Sequence, residues 1–269
     1  MTKKNCIIIG RPVSQSLSPL MHNTAYQALK IDNDFLYSAR EVKIEDLEKQ
    51  VQTIRNSDVV GVSVTIPHKI SIIPFLDEVS QTAKEIGAVN TLYKKDGKLL
   101  GTNTDWIGVL NPLRERTDIS GKKVALFGAG GAARAACYAM KTSGAQVTVI
   151  NRTQENARKI AADFDCGCRA SEDVRSLGEF DIIINSIPYQ SESDFLPVNP
   201  TYFMAKHIVF DMVYLPYKTK LLLEAEKVGA VIIPGVEMLL YQGVEQFKIF
   251  TGINAPVEVM RDALLKSIK

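Results

Sequence analysis

Short apolar runs alternate with amphipathic segments along the first 104 residues, a pattern typical of strands that alternate with helices. Strands are predicted at residues 7–10, 35–38, 59–66, 89–93 and 98–101. Helices are predicted at residues 19–29, 44–55 and 70–76. The dipeptide Asp96-Gly97 separates the last two strands and is typical of a hairpin turn, so this sheet should be mixed, with antiparallel as well as parallel pairs.

The second half of the chain predicts a parallel sheet. A helix is predicted at 105–116, and strands follow at 124–128, 146–150, 181–185, 208–211 and 231–233. Strands separated by helical segments imply right-handed parallel crossovers. Two further helices are predicted, one from Met238 to about Gly252 and one at 257–268.

These patterns predict two α/β domains. The first spans 1–104, and the second begins at 105. Clefts between domains favour small-molecule sites, so we expect one there.

A glycine-rich turn follows the strand at 124–128. Its sequence is Gly128-Ala129-Gly130-Gly131-Ala132, and an alanine-rich helix begins directly after it. The spacing Gly128-x-Gly130-x-x-Ala133 fits a turn that holds a dinucleotide pyrophosphate at the positive end of a helix. The turn therefore predicts a Rossmann-type nucleotide-binding domain.

The end of the next strand indicates which dinucleotide binds. It reads Asn151-Arg152-Thr153 and lacks the carboxylate that usually binds the ribose 2′-hydroxyl of NAD. The planar guanidinium of Arg152 suits a 2′-phosphate instead. Thr153 either adds a hydroxyl to that site or caps the following helix. The sequence therefore predicts NADP as the cofactor.

Composition excludes several other classes of protein. The formal net charge is only +2 and the basic residues are scattered, which argues against nucleic acid as a partner. No apolar run approaches the ~20 residues of a membrane span, and the N-terminus lacks the features of a signal peptide. We therefore expect a cytoplasmic protein. Cys166-Gly-Cys168 has a short spacing and the chain has three histidines, so no metal site is expected.

Four polar positions between residues 18 and 105 each have a structural and a functional interpretation. Ser18 either caps the helix that Pro19 begins, or lies in an extended segment with Ser16 and binds a carboxylate or polyol. Lys69 follows the strand at 59–66, in which Ser63 and Thr65 share one face. It opens a helix, where a cation is disfavoured, and is either an exposed lysine or a proton-transferring group.

Two further polar residues lie in or after the hairpin. Asn90 stands in an otherwise apolar strand and must be hydrogen-bonded to backbone or to a ligand. Asp105 begins a helix, where it either favours the helix dipole or pairs with Lys69.

Seven motifs occur in a fixed order along the chain: Ser16-Leu17-Ser18-Pro19, Val64-Thr65-Ile66-Pro67-His68-Lys69, Gly87-Ala88-Val89-Asn90-Thr91, Gly101-x-Asn103-Thr104-Asp105, Gly128-Ala129-Gly130-Gly131-Ala132, Asn151-Arg152-Thr153 and Gly235-x-x-Met238-Leu239-x-x-Gln242. In this order they resemble the shikimate dehydrogenase family over essentially the full length. Members of that family reduce 3-dehydroshikimate to shikimate with NADPH. The resemblance implies the same two-domain fold, in which helices at 238–269 return to complete the first domain (1–104) and the second domain spans 105–237.

The resemblance also implies roles for individual residues. Lys69 and Asp105 would be the catalytic pair, and Ser16 and Ser18 would hold the substrate carboxylate. The substrate's ring hydroxyls would be bound by Thr65, Lys69, Asn90, Asp105 and Gln242. The cofactor would be held by Gly128, Ala129, Gly130, Gly131, Ala132, Asn151, Arg152, Thr153, Met212 and Gly235. A monomer or a homodimer is expected.

Several positions depart from the family pattern. Ser63 replaces a frequent asparagine, Asn156 replaces a basic residue that often helps to bind the 2′-phosphate, and Glu237 replaces a glycine. The loop at 185–190 lacks the usual Gly-Met pair. These departures leave open a quinate/shikimate dehydrogenase that uses NAD or both cofactors. A non-catalytic NADP-binding regulatory module is a remote alternative, but it predicts the loss of Lys69 or Asp105.

Overall fold

The computed structural model describes residues 3–188 and 196–268. Within those ranges the chain forms two compact units. The first unit contains the segment up to Thr104 together with Leu240–Ser267, and the second contains Asp105–Leu239. Each unit has its own sheet and its own hydrophobic core.

The first unit is built on a mixed six-stranded sheet, as predicted. Its strands are β1 (Lys4–Gly10), β2 (Phe35–Glu41), β3 (Val59–Val64), β4 (Glu78–Val79), β5 (Thr91–Lys95) and β6 (Lys98–Thr102). They lie in the order β2-β1-β3-β5-β6-β4, and the β3–β5 and β5–β6 pairs are antiparallel. Asp96 and Gly97 have φ of 51° and 74°, which confirms the predicted hairpin turn.

Helices cover this sheet and shield its apolar residues. They are α1 (Ser18–Ala28), α2 (Leu47–Arg55), α3 (His68–Ser71) and α4 (Gln81–Ile86). The apolar face of α2, with Leu47, Val51 and Ile54, packs in one cluster with Ile7 of β1 and Val62 of β3. Burial of these side chains is the main favourable contribution to the stability of this unit.

The prediction that Ser18 caps α1 is wrong. Ser18 is the first residue of the helix, and the N-cap position belongs to Leu17, whose side chain makes no capping hydrogen bond. Leu17 has φ of −85° and ψ of −2°, so the segment before the helix is not extended either. Pro19 is tolerated here because backbone N–H groups in a first helical turn have no intrahelical acceptor to lose.

The second unit is built on a parallel six-stranded sheet. Its strands are β7 (Lys123–Phe127), β8 (Gln146–Asn151), β9 (Gly167–Ala170), β10 (Ile182–Asn185), β11 (Ile208–Asp211) and β12 (Val231–Ile233). They lie in the order β12-β11-β10-β7-β8-β9, and every pair is parallel. This is the predicted Rossmann-type sheet, with β9 as an additional edge strand that the sequence analysis missed.

Helices pack on both faces of the parallel sheet. They are α5 (Asp105–Arg114), α6 (Gly131–Thr142), α7 (Gln154–Phe164) and α8 (Lys220–Lys227). The last two helices are α9 (Gly235–Thr251) and α10 (Val257–Ile268), which belong to the first unit from Leu240 to Ser267. Leu126 of β7 joins a core cluster with Met140 of α6, whereas Phe127 joins a second cluster with Leu222 of α8. Successive residues of a strand point to opposite faces, so these two clusters lie on opposite sides of the sheet.

The helices of the described ranges include none with the length and apolar character needed to cross a membrane. In the same ranges, no group of three or more histidine, cysteine, aspartate or glutamate side chains is arranged to hold a metal ion.

An aromatic cluster in the first unit encloses a histidine. His22 is fully buried, and its ring stacks on Tyr37 with centroids 4.4 Å apart and an interplanar angle of 9°. Phe247 and Phe250 of α9 lie at centroid distances of 6.0 and 6.1 Å. Neither ring nitrogen of His22 has a hydrogen-bond partner among the described residues, and burial lowers its pKa to about 3.

We expect His22 to make the fold sensitive to acid. Its folded pKa lies below the ordinary value of 6.5, so the unfolded chain takes up a proton first as the pH falls. The free energy of unfolding should fall between about pH 6.5 and pH 3, with a slope approaching ~1.4 kcal/mol per pH unit for this one group. Urea denaturation at pH 7, 6, 5 and 4 measures the slope, and His22→Phe should reduce it. An equally steep loss in the variant would contradict the assignment.

Candidate functional site

The turn after β7 has the geometry of an anion site. Gly128 has φ of +109°, and a Cβ there would lie 2.3 Å from Ser186 Oγ, so only glycine fits. Gly130 is the N-cap of α6, without a side-chain cap, and a Cβ there would meet no atom within 4 Å. The space above the first turn of α6 is therefore open, and the N–H groups of that turn are available to an anion.

The tip of β8 presents the residues predicted to read the ribose phosphate. Arg152 is exposed, and Asn151 Nδ2 donates to Thr153 O over 3.0 Å. Thr153 occupies the N-cap position of α7, but its side chain makes no capping hydrogen bond. Asn156 is also exposed, while Arg158 Nη2 donates to Gln154 Oε1 over 2.9 Å. Arg152 is thus the cation at the strand tip itself.

Gly235 has a packing role beside Met212. A Cβ at Gly235, the first residue of α9, would lie 2.5 Å from Met212 O and from Val213 C. The helix therefore starts against the backbone that follows β11, which a larger residue would prevent. Met212 itself is half-buried, and its N–H donates to Asn185 O over 2.9 Å. Of the loop predicted to lie near the nicotinamide, Tyr189 and Gln190 fall outside the described residues.

Asp211 is a buried carboxylate that the sequence analysis missed. Its oxygens accept hydrogen bonds from Thr219 Oγ1 (2.6 Å), Asn185 Nδ2 (2.9 Å) and Val213 N (3.1 Å). Desolvation by burial raises the pKa of Asp211 despite these bonds. The available signal was a carboxylate that ends an apolar strand. Asp211 fixes the segment that begins at Met212, one of the predicted cofactor residues.

In the first unit, Ser16 and Ser18 lie at the start of α1. Ser18 N donates to Ser16 Oγ over 3.3 Å. The Ser18 side chain is buried. Ser16 remains half-buried. The two serines are therefore close together, although through a helical start rather than through an extended segment.

Lys69 is connected to the segment that contains Asn90. It is the second residue of α3 and half-buried, and its carbonyl oxygen accepts from Val89 N over 2.7 Å. Thr65 lies four residues earlier, half-buried, and its N–H donates to Ile9 O over 2.9 Å. The chain thus places Lys69 next to the residue that precedes Asn90, at the end of β3.

Asn90 is 2% exposed, and its amide is held by neighbouring residues. Its Oδ1 accepts from Thr91 Oγ1 (2.7 Å) and Thr104 N (2.8 Å), and its Nδ2 donates to Thr104 Oγ1 (3.0 Å). These bonds satisfy the expectation that a buried asparagine is hydrogen-bonded. They also fix the orientation of its amide.

The remaining predicted residues are placed by two helices. Gln242 lies on α9, in the part that belongs to the first unit, and is 8% exposed. Asp105 is the first residue of α5 and is 3% exposed. Asp105 belongs to the second unit, and it directly follows Thr104, whose backbone N–H is bound by Asn90.

Gln246 was not predicted and lies among these residues. It follows Gln242 by one helical turn on α9 and is 1% exposed. Its Nε2 donates to Thr91 Oγ1 (2.9 Å) and Asn90 O (3.1 Å), and its Oε1 accepts from Ser63 Oγ (2.6 Å). The signal was a second glutamine four residues after the first in an apolar helix.

Three family descriptions match the chain. The shikimate dehydrogenase substrate binding domain matches residues 8–92, the shikimate/quinate 5-dehydrogenase family matches 113–193, and the shikimate 5′-dehydrogenase C-terminal domain matches 235–265.

Individual proteins are similar over nearly the whole length. A shikimate dehydrogenase (NADP(+)) from Methanothermobacter thermautotrophicus is 42% identical over 96% of this chain and 94% of that protein. A shikimate dehydrogenase crystallised with NADP+ has a TM-score of 0.92 and 36% identity, covering 99% of this chain and 96% of that one. A shikimate 5-dehydrogenase from Listeria monocytogenes, crystallised with shikimate and NAD, has a TM-score of 0.87 and 34% identity, covering 97% and 96%.

Proposed function

The chain belongs to the shikimate dehydrogenase family and is an NADP-dependent oxidoreductase, and we propose that Lys69 and Asp105 carry out its proton transfer. The reaction is the reversible reduction of 3-dehydroshikimate to shikimate. The observation that carries the residue assignment is the bond from Val89 N to Lys69 O (2.7 Å), which connects the lysine to the segment of buried Asn90.

The residues of the second unit fit the dinucleotide. Gly130 leaves open space at the start of α6, and Arg152 offers an exposed guanidinium at the tip of β8. The first turn of α6 would hold the pyrophosphate, and Arg152 with Asn151 and Thr153 would hold the 2′-phosphate. When bound, NADP supplies the hydride acceptor or donor of the reaction.

The residue chemistry suits an alcohol and ketone interconversion. Oxidation of a secondary alcohol removes a proton from its oxygen, and an amine and a carboxylate are groups that accept or relay that proton. In the reverse direction, a protonated Lys69 polarises the carbonyl and donates the proton. Asp105 would orient the lysine and the substrate hydroxyl. No step requires a metal ion.

The polar residues of the first unit suit a polyhydroxylated carboxylate. Ser16 and Ser18 would bind the carboxylate, and Thr65, Asn90 and Gln242 would bind ring hydroxyls. The proposed enzyme is cytoplasmic, and a monomer or homodimer. Its four cysteines, Cys6, Cys137, Cys166 and Cys168, are free thiols in the structure.

A four-way assay tests the proposed function. Shikimate and quinate are each paired with NADP+ and NAD+, and reduction of the cofactor is followed by absorbance. We expect turnover of shikimate with NADP+ and much slower turnover of the other pairs. Comparable rates with quinate or NAD+ would place the enzyme in the dual-specificity alternative, to which exposed Asn156 and the NAD-bound Listeria relative point.

The same assay on Arg152→Ala tests the basis of cofactor choice. A charge-assisted hydrogen bond contributes ~1.5–3 kcal/mol, so kcat/KM for NADP+ should fall roughly 10- to 100-fold. The value for NAD+, which has no 2′-phosphate, should change little. Lys159→Ala, which removes an exposed cation of the following helix α7, is the control and should preserve the preference. An equal loss for both cofactors would show that Arg152 does not read the 2′-phosphate.

A further inference from the structure

A chain of buried hydrogen bonds leads to Asn90, one of the proposed substrate-binding residues. It begins at Tyr37, in β2. Tyr37 OH donates to Ser63 Oγ over 2.5 Å, and Ser63 Oγ donates to Gln246 Oε1 over 2.6 Å. Gln246 Nε2 then donates to Thr91 Oγ1 (2.9 Å), which donates to Asn90 Oδ1 (2.7 Å).

Gln246 fixes the direction of every bond in this chain. An amide oxygen only accepts and an amide nitrogen only donates, so Ser63 must donate to Gln246 and Thr91 must accept from it. The Thr91 hydroxyl then has its hydrogen available for Asn90 Oδ1. Since Thr104 N also donates to Asn90 Oδ1 over 2.8 Å, the amide nitrogen of Asn90 is held as its donor end.

The members of this chain are excluded from water. Tyr37, Ser63, Asn90, Thr91 and Gln246 are each at most 4% exposed. Loss of one partner therefore leaves its neighbours unsatisfied rather than solvated. The backbone of Tyr37 is also held, because Asn23 exchanges two hydrogen bonds with it, at 2.8 and 2.9 Å. The Tyr37 end of the chain is thus fixed to α1.

We propose that Gln246 is a positioning residue, which holds Asn90 as a hydrogen-bond donor for the ring hydroxyls of the substrate. The inference rests on the proposed function, since it assumes that Asn90 contacts shikimate. The proposal also gives Ser63 a role. Many relatives have asparagine at this position, and because the serine side chain is shorter and has no amide, Gln246 of α9 supplies the amide at the centre of the hydrogen-bond chain.

Gln246→Met tests the proposal, because methionine has similar length and no hydrogen-bonding amide. We expect KM for shikimate to rise about tenfold, with kcat and KM for NADP+ within about twofold of wild type. Gln50→Met is the matched control: it removes a half-buried glutamine whose amide nitrogen has no partner in the described part of the chain. It should leave all kinetic constants unchanged.

A double-mutant comparison separates positioning from general stability. Asn90→Ala should raise KM for shikimate, and adding Gln246→Met should then raise it no further. Additive losses would show that Gln246 does not act through Asn90 and would overturn the proposal. If Gln246→Met proves too unstable to assay, Tyr37→Phe removes the outer hydroxyl alone. It should raise the same KM severalfold, and an unchanged KM there would also overturn it.

The outcomes distinguish this inference from the proposed function. Absence of shikimate turnover by the wild type would reject the function itself. A normal KM in Asn90→Ala would reject the role assigned to Asn90. A raised KM in Asn90→Ala together with a normal KM in Gln246→Met would reject only the positioning role.

Discussion

Lys69→Ala should lower kcat for shikimate oxidation by ~10²–10⁴-fold, the range expected when a general acid–base group is removed. Shikimate binding should remain within about tenfold, because Ser16, Ser18 and Asn90 keep their side chains. Initial rates with NADP+ give kcat, and calorimetric titration with shikimate gives the dissociation constant. A large loss of kcat with little change in the dissociation constant would indicate proton transfer rather than substrate binding.

Lys49→Ala is the control for this experiment. Lys49 is an exposed lysine on α2 of the same unit, so its removal should leave kcat unchanged. Near-normal turnover in Lys69→Ala would refute the assigned role. Equal losses of kcat and of shikimate binding would indicate that Lys69 mainly binds the substrate.

The main elements of the fold were predictable because their sequence signals are local. Apolar runs at β7, β10 and β11 are continuous, as is typical of buried parallel strands, and the run at β8 is interrupted only by Thr148. The strand β9 escaped detection because its sequence, Gly-Cys-Arg-Ala, is short and lacks an apolar pattern. Only its pairing with β8 makes it a strand. An edge strand of this kind is determined by its neighbour rather than by its own sequence.

The helix α4 was missed although its signals are present. Ser80 caps it by accepting from Ala83 N over 3.2 Å, and Gly87 ends it with φ of 70°. The helix has only six residues, too few for a hydrophobic period to be recognised.

Parts of the candidate site were predictable because the residue type, in its local sequence context, has a single common function. The Gly128 and Arg152 signals depend on neighbours in the sequence, and the structure places both at strand ends as expected. Gln246 and Asp211 could not be predicted in the same way. Their roles depend on Thr91 and Ser63, or on Thr219 and Asn185, which approach them only after folding. Ser18 shows the converse error, in which a common capping residue is the first residue of the helix rather than its N-cap.

Asp105→Asn should lower kcat by ~10²-fold or more while keeping the shape of the side chain. Asparagine accepts and donates hydrogen bonds but carries no charge, so it cannot accept a proton. Since Asp105 is 3% exposed at the start of α5, water is poorly placed to substitute for it. Steady-state rates with shikimate and NADP+ measure the effect.

The control for Asp105→Asn is an aspartate that is exposed rather than buried. Asp118→Asn removes an exposed carboxylate of the same unit and should leave the rate unchanged. NADP+ affinity should be normal in both variants, because the proposed cofactor residues include neither aspartate. If Asp105→Asn retains its rate, the carboxylate has only a structural role at the helix start. The proton must then be relayed by Lys69 without it.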